Sequence, residues 1–194
     1  MAKLQLVQDP AADALLESNP FALLVGMLLD QQVAMETAFA GPAKIRDRLD
    51  AFDAATLAAA GEERLTEVFR TPPAVHRYPG SMAARTGSLA QAIVEDWDGE
   101  AEAIWTQPDA SGNDPDGAEV LRRLKALPGF GEQKAKIFLA LLGKQRGLAA
   151  AGWRESAGAY GEEGCFRSVA DIVDPESLTK VRETKRAAKA AAKK

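Results

Sequence analysis

Signals for the start of an α-helix recur along the whole chain. Asp9-Pro10, Asn19-Pro20 and Asp174-Pro175 each place a helix-capping side chain directly before a proline, a residue suited to the first helical turn. Alternation of apolar and polar residues with a period of two, which is typical of a strand, is confined to a few residues near Leu4–Val7. We therefore expect an all-α fold.

Helical spacing or helix-forming composition marks several segments between these signals. They are Phe21–Leu29, Ala34–Leu49, Ala54–Ala60, Gly80–Asp96, Asp116–Ala126, Glu132–Gly143 and Pro175–Ala192. Two stretches interrupt the pattern: Asp109–Asp116 is turn-forming, and Gly147–Gly164 carries five glycines among Trp153 and Tyr160. The second stretch is interpreted either as a long surface loop or as a segment whose aromatic side chains shape a pocket.

The length and composition are those of a soluble globular protein. With 194 residues, 46% hydrophobic and 27% charged, the chain can form one domain or two small lobes that share a core. The longest apolar run, Phe21–Leu29, has about half the length of a membrane span, and the N-terminus lacks a secretory signal pattern. We predict a monomeric, cytoplasmic protein without membrane contact, associated with the nucleoid if the source is bacterial.

The scarcity of metal-ligating side chains excludes several kinds of site. A lone Cys165 cannot form an internal disulfide, a four-cysteine zinc site or an iron–sulfur cluster. His76 is the only histidine, which leaves out most histidine-based metal sites. We expect neither a metal nor a cofactor.

The charge is distributed unevenly between the C-terminus and the rest of the chain. Residues 180–194 hold seven basic residues and Glu183, a balance of +6, while residues 1–179 hold 17 basic and 27 acidic residues, a balance of −10. A basic tail on an acidic body suggests a polyanionic partner. A solvated helix of lysine and alanine is the equally weighted alternative.

The most informative motif lies between two helical segments. Leu127-Pro128-Gly129-Phe130-Gly131 follows the amphipathic run Val120–Ala126 and precedes Glu132–Gly143, which favours a helical hairpin. Pro128 ends the first helix, and the two glycines are expected to adopt backbone conformations that a side chain would forbid.

Exposed amides at the start of the second helix can bind phosphate without recognising sequence. Here these would be the amides of Gly131 and the residues after it, with Lys134 and Lys136 adding positive charge close by. A tight αα corner without a ligand is the alternative for the bare pattern.

Three segments carry a resemblance to a known family. Leu127–Phe138, with the small Ala135 four positions after Gly131, closely resembles the helix-hairpin-helix of DNA-binding proteins. Asn19–Gln32 resembles the segment that carries the duplex-invading glutamine in base-excision glycosylases of the helix-hairpin-helix and Gly/Pro-Asp (HhH-GPD) superfamily. Val75–Met82 is similar to that family's short turn before the helix leading to the hairpin.

The resemblance implies an all-α, two-lobed HhH-GPD glycosylase fold. Residues 20–144 would form the central helical lobe, with the helix-hairpin-helix at about 117–143, and residues 1–19 plus 145–194 the second lobe and basic tail. Members of this family bind double-stranded DNA, flip a nucleotide out of the stack and cleave its N-glycosidic bond, and Gln32 matches the residue that fills the resulting hole. The DNA-binding residues that the resemblance implies are Gln32, Gly129, Phe130, Gly131, Gln133 and Lys134.

The family also implies a catalytic aspartate after the hairpin. Asp171 in Ser168-Val169-Ala170-Asp171 is the best match, and Asp174 competes with it, although both carboxylates are also explained as ordinary helix caps. The distance from the hairpin is longer than in familiar members because of the Gly147–Gly164 insertion, which lacks the proline expected in the Gly/Pro loop. A carboxylate is needed because cleavage builds positive charge on the sugar.

The hairpin sequence further implies a monofunctional enzyme. Bifunctional members carry a lysine two positions after the second hairpin glycine, where this chain has Gln133, and Lys134 is rotated by about 100° from that position. A base pocket is expected from the side chains His76, Tyr78, Trp153 and Tyr160.

Two other functions stay open on the sequence alone. One is a DNA-binding protein of the same fold without glycosylase activity, favoured by the missing family lysine. The other is an αα-corner module that binds protein, favoured by the acidic body.

Overall fold

A computed structural model describes residues 3–192, and within them all regular secondary structure is helical. The all-α prediction is confirmed. The elements in chain order are α1 (Pro10–Ser18), α2 (Pro20–Leu29), α3 (Met35–Leu49), α4 (Ala54–Arg70), α5 (Pro79–Trp97), α6 (Ala103–Thr106), α7 (Gly117–Lys125), α8 (Glu132–Gln145), α9 (Trp153–Ala157), two 3₁₀ turns (Gly158–Tyr160 and Val169–Asp171) and α10 (Pro175–Ala191).

The three proline-linked caps act as the sequence predicts. The side chains of Asp9, Asn19 and Asp174 accept hydrogen bonds from backbone N–H groups in the first turns of α1, α2 and α10. Each bond satisfies one of the N–H groups that a helix start leaves without an internal partner.

Several segments differ from the sequence-based expectation. Helix α4 extends past Ala60 to Arg70. The chain kinks at Gly61, where φ is +75°, and then continues as a helix. The Gly147–Gly164 stretch is not a featureless loop, since it contains α9 and a 3₁₀ turn.

The alternation near Leu4–Val7 forms no strand among the described residues. Leu4 and Leu6 enter the core while Gln5 stays exposed, which produces the period of two. The carboxylate of Asp13 accepts hydrogen bonds from the N–H groups of Leu6 and Val7 at 2.9 Å. This contact takes the place of strand pairing.

Helix α2 lies at the centre of the fold. Every residue from Phe21 to Leu29 is buried, and α2 contacts α1, α3, α5 and α8. No single described helix has the length and apolar character of a membrane span; α1 and α2 pass that test only as a pair bent by 115°. The buried apolar side chains form one continuous core, and the division into lobes at 20–144 and 1–19 plus 145–194 stays a prediction.

The predicted helical hairpin is present as α7, a short turn and α8. Gly129 in the turn has φ +80°, and a Cβ there would lie 2.4 Å from Cδ1 of Leu28, so the turn packs directly against the end of α2. Gly131 has φ −77° and ψ 175°, with open space where a Cβ would stand. Gly129 therefore adopts a positive φ that disfavours a side chain. Gly131 does not, so the prediction of such a conformation at Gly131 is wrong.

Candidate functional site

A cleft of about 670 Å³ lies where the end of α2, the start of α8 and α10 meet. The residues that matter below for its chemistry are Asp30, Gln32, Gln133, Lys134, Tyr160 and Lys185. A wider groove of about 770 Å³ runs along α4 on the outer surface, where Glu62, Glu63 and Glu67 line it. Because three carboxylates repel a polyanion, the cleft beside the hairpin is the better candidate for nucleic acid.

Gln32 stands on the short loop between α2 and α3 in a constrained conformation. Its side chain is exposed and its φ is +57°, a value uncommon for a residue with a side chain. Such backbone strain persists only where the surrounding structure enforces it, and it concentrates at functional sites.

The buried side chain of His76 holds this loop in place through hydrogen bonds to its backbone. Its Nε2 lies 3.2 Å from the carbonyl oxygen of Leu29 and 3.0 Å from that of Gln31, and its Nδ1 accepts a hydrogen bond from the N–H of Tyr78. These partners fit the neutral imidazole with its proton on Nε2. Burial lowers the pKa of His76, which favours the same neutral form. The histidine predicted to line a base pocket is a buried support for the Gln32 loop.

Lys134 joins the hairpin to the end of α2. Its Nζ donates hydrogen bonds to the carbonyl oxygens of Met27 at 3.0 Å and Leu28 at 2.5 Å. These are among the last carbonyls of α2, where the helix dipole favours a cation. Burial lowers the pKa of Lys134 to about 8, against the opposing attraction of Asp30.

The start of α8 presents backbone amides without a side-chain cap. The N–H groups of Glu132, Gln133 and Lys134 therefore have no helix-internal partner. The carboxylate of Glu132 pairs with Lys136 at 2.7 Å and Lys125 at 3.6 Å. Lys136 is thus paired within the first turns of α8, while the ammonium of Lys134 is bonded to the carbonyl oxygens at the end of α2.

Three other candidate side chains, those of Phe130, Trp153 and Tyr78, do not line the cleft. Phe130 is 4% exposed and packs edge-on against Phe138, so its side chain belongs to the core. Trp153 packs over Gly143, where a Cβ would lie 2.4 Å from the indole ring. Tyr78 is 44% exposed beside the guanidinium of Arg77 and lies outside the cleft lining.

Tyr160 is the aromatic candidate that the structure does bring into the cleft, next to the hairpin. Its hydroxyl accepts a hydrogen bond of 2.9 Å from Nε2 of Gln133, the residue two positions after Gly131. Of the four side chains expected in a base pocket, Tyr160 alone lines the cleft among the described residues.

Asp171 lies outside the cleft and is fully engaged by the protein. Its carboxylate accepts hydrogen bonds from Nζ of Lys144 at 2.6 Å and from the N–H groups of Arg167 and Ser168 at 2.8 and 3.1 Å. Lys144 is ten residues beyond Lys134 on α8, about 15 Å along the helix axis. Asp174 caps α10 and also lies away from the cleft lining.

Asp30 is a cleft residue that the sequence did not single out as a functional candidate. It ends the apolar run of α2, and its side chain is 12% exposed with Lys185 Nζ 3.9 Å away. Burial raises the pKa of Asp30, while Lys185 and Lys134 act in the opposite direction. The available signal was an acidic residue between nine apolar residues and Gln31-Gln32.

The first half of the basic tail is attached to the rest of the protein by ion pairs. On α10, Arg182 pairs with Glu36 and Lys185 with Asp30, whereas Arg186 and Lys189 are exposed. Lys193 and Lys194, counted in the tail charge, lie outside the described residues.

No cluster of three histidine, cysteine or acidic side chains suited to a metal occurs within residues 3–192.

No protein-family model, curated protein or solved structure matches the chain.

Proposed function

We propose that this protein binds double-stranded DNA and hydrolyses the N-glycosidic bond of a damaged or mismatched base flipped into the cleft. The observation that carries the proposal is that Gln32 and the start of α8 line the same cleft. A helix start suited to holding the DNA backbone and a side chain suited to entering the duplex thus flank one cavity.

The hairpin supplies contacts to the DNA backbone that do not depend on base sequence. Uncapped amides at Glu132 and Gln133 can donate to a phosphate oxygen, and the positive end of the α8 dipole adds to the attraction. The negative charge of Glu132 is offset by its two lysine partners. Such contacts position the duplex and leave the choice of base to the cleft.

Gln32 supplies the group that enters the duplex. Extruding a nucleotide costs a few kcal/mol and leaves a gap opposite an unpaired base. The glutamine amide both donates and accepts hydrogen bonds, so it can fill the gap and bond the orphaned base. Because His76 fixes the carbonyls at Leu29 and Gln31, the loop is already shaped before DNA binds.

The cleft has the size and lining for a flipped nucleotide. Its volume of about 670 Å³ falls within the range of small-molecule sites. The ring of Tyr160 offers a stacking surface, and the cations of Lys185 and Arg167, which line the same cleft, can attract a phosphate.

The hairpin chemistry favours hydrolysis without strand cleavage. Gln133 carries an amide that cannot form a Schiff base with the sugar. The amine of the next residue, Lys134, is already bonded to two carbonyl oxygens of α2. The expected products are a free base and an intact strand with an abasic site.

A DNA-binding protein of the same fold without catalysis is the second candidate. It is favoured by the engagement of Asp171, whose side chain is 3% exposed and paired with Lys144. A carboxylate in that state cannot reach a sugar in the cleft.

The test is base release from a panel of duplexes, each with one uracil, alkylated base, oxidised base or mismatch. The proposal predicts that at least one duplex yields an abasic site that breaks only after alkali, and that borohydride traps no covalent adduct. Salt-dependent DNA binding without base release would favour the second candidate. Absence of salt-dependent DNA binding would favour the αα-corner protein-interaction module instead.

A further inference from the structure

We infer that Asp30 is the carboxylate that acts on the flipped nucleotide, an inference that rests on the proposed function. Of the described residues that line the cleft, Asp30 is the one with a carboxyl group. It follows the last turn of α2 and stands two residues before Gln32. The acid and the duplex-entering side chain are therefore fixed by the same short loop.

The hydrogen-bonding state of Asp30 leaves it available to a substrate. Among the described residues, no N–H or O–H group donates a hydrogen bond to its side chain, and its nearest cation is Lys185 Nζ at 3.9 Å. Asp171 has the opposite state, since Lys144 and two backbone N–H groups already occupy its oxygens. A carboxylate with free lone pairs can approach a sugar cation without first breaking a hydrogen bond to the protein.

The surroundings of Asp30 strengthen the electrostatic interaction of its negative charge with a nearby cation. The side chain is 12% exposed, so water screens it weakly, and Coulomb interactions in such a site are stronger than in bulk water. Burial raises the pKa of Asp30, while Lys185 from α10 and Lys134 from α8 act in the opposite direction and favour the ionised form.

Cleavage of the N-glycosidic bond calls for a carboxylate near C1′ of the sugar. The bond from C1′ of the sugar to the base nitrogen breaks, its electron pair leaves with the base, and positive charge develops on the sugar. The ionised Asp30 stabilises that charge. Water then adds its oxygen to C1′, one of its protons ends on the released base, and the aspartate is unchanged at the end of the cycle.

An alternative role for Asp30 is to anchor α10 through Lys185. The chain offers a matched control for this role, because Glu36 and Arg182 form a second ion pair that holds α10. Glu36 does not line the cleft. Asp30→Asn and Glu36→Gln both convert a carboxylate to an amide and both loosen α10, but only the first changes the charge of the cleft.

The experiment measures single-turnover base release by full-length wild type, Asp30→Asn, Asp171→Asn and Glu36→Gln. Its substrate is a duplex from the panel that the wild type processes. We expect Asp30→Asn to slow base release by at least about a hundredfold. DNA affinity and thermal midpoint should stay close to those of Glu36→Gln, which should retain base release.

Each remaining outcome has a defined meaning. Full base release by Asp30→Asn overturns the inference, and loss of release in Asp171→Asn alone would transfer the role to Asp171. An equal loss in Asp30→Asn and Glu36→Gln would reduce Asp30 to an anchor of α10. Absence of base release by the wild type from every duplex would overturn the proposed function, and this inference with it.

Discussion

Lys144 donates a hydrogen bond of 2.6 Å from its Nζ to Oδ1 of Asp171, and the two side chains are 14% and 3% exposed. The pair joins the C-terminal end of α8 to the 3₁₀ turn before α10. Because Thr184, Lys185 and Ala188 of α10 line the cleft, this buried ion pair supports the cleft without lining it.

Asp171→Asn should destabilise the fold. The substitution leaves the Lys144 ammonium buried without a charged partner, which costs on the order of 3 kcal/mol in the free energy of unfolding. Urea denaturation measures the change. Asp174→Asn is the matched control, because asparagine caps a helix as well as aspartate does. Equal losses in the two variants would contradict a stabilising role for the Lys144–Asp171 pair.

Gly131→Glu should weaken binding to duplexes of any sequence by about tenfold, since it places a like charge beside a bound phosphate. The fold should persist, because Gly131 has an extended backbone and open space around its Cβ position. Fluorescence anisotropy measures the affinity, and Gly131→Ala, which adds no charge, should bind like the wild type. Unchanged affinity in folded Gly131→Glu would remove the hairpin from the DNA interface.

The burial of Lys134 should appear in the pH dependence of stability. Its pKa of about 8 in the folded protein lies below its value in the unfolded chain, near 10.5. The unfolded state then binds more protons between these two pH values, so this residue's contribution raises the free energy of unfolding as pH rises from 8 to 10.5.

Urea denaturation of the wild type and Lys134→Met across this pH range isolates the contribution. The wild type should gain stability relative to the variant as pH rises. A constant difference between the two proteins would show that Lys134 has an ordinary pKa and is not buried as a cation.

The exposed cations on α10 should contribute to the salt dependence of DNA binding. If Arg186 and Lys189 contact phosphates, replacing both by glutamine reduces the slope of log affinity against log salt by about 1.8. Neither has an ion-pair partner among the described residues, so the change leaves the docking pairs of α10 intact. Arg46→Gln/Arg64→Gln, which removes two cations elsewhere on the surface, should keep the wild-type slope. An unchanged slope in both double variants would exclude Arg186 and Lys189 from the interface.

Local chemistry made much of the fold predictable. The caps at Asp9, Asn19 and Asp174 and the hairpin turn after Leu127 depend on neighbouring residues, and all four appear where the sequence places them. Continuation of α4 beyond Gly61 was not predictable from helix propensity, because it depends on tertiary packing: Leu65, in the second half of α4, packs against Gly87 of α5.

The site was less predictable because burial and charge pairing depend on distant parts of the chain. His76 has its partners at Leu29 and Gln31, and Asp171 has its partner on α8. Asp30 acquires its surroundings from Lys134 and Lys185, residues more than a hundred positions away. Sequence alone could name Gln32 and the hairpin, but the carboxylate it named, Asp171, lies outside the cleft that Asp30, Gln32 and the start of α8 line together.

Glycosylase activity can be detected by mass spectrometry of the small molecules released when the wild-type protein is incubated with the duplex panel. Glycosylase activity predicts a free base from at least one duplex, in amounts equal to the abasic sites formed, with no strand cut before alkali. A protein that binds these duplexes but releases no base from any of them would contradict it.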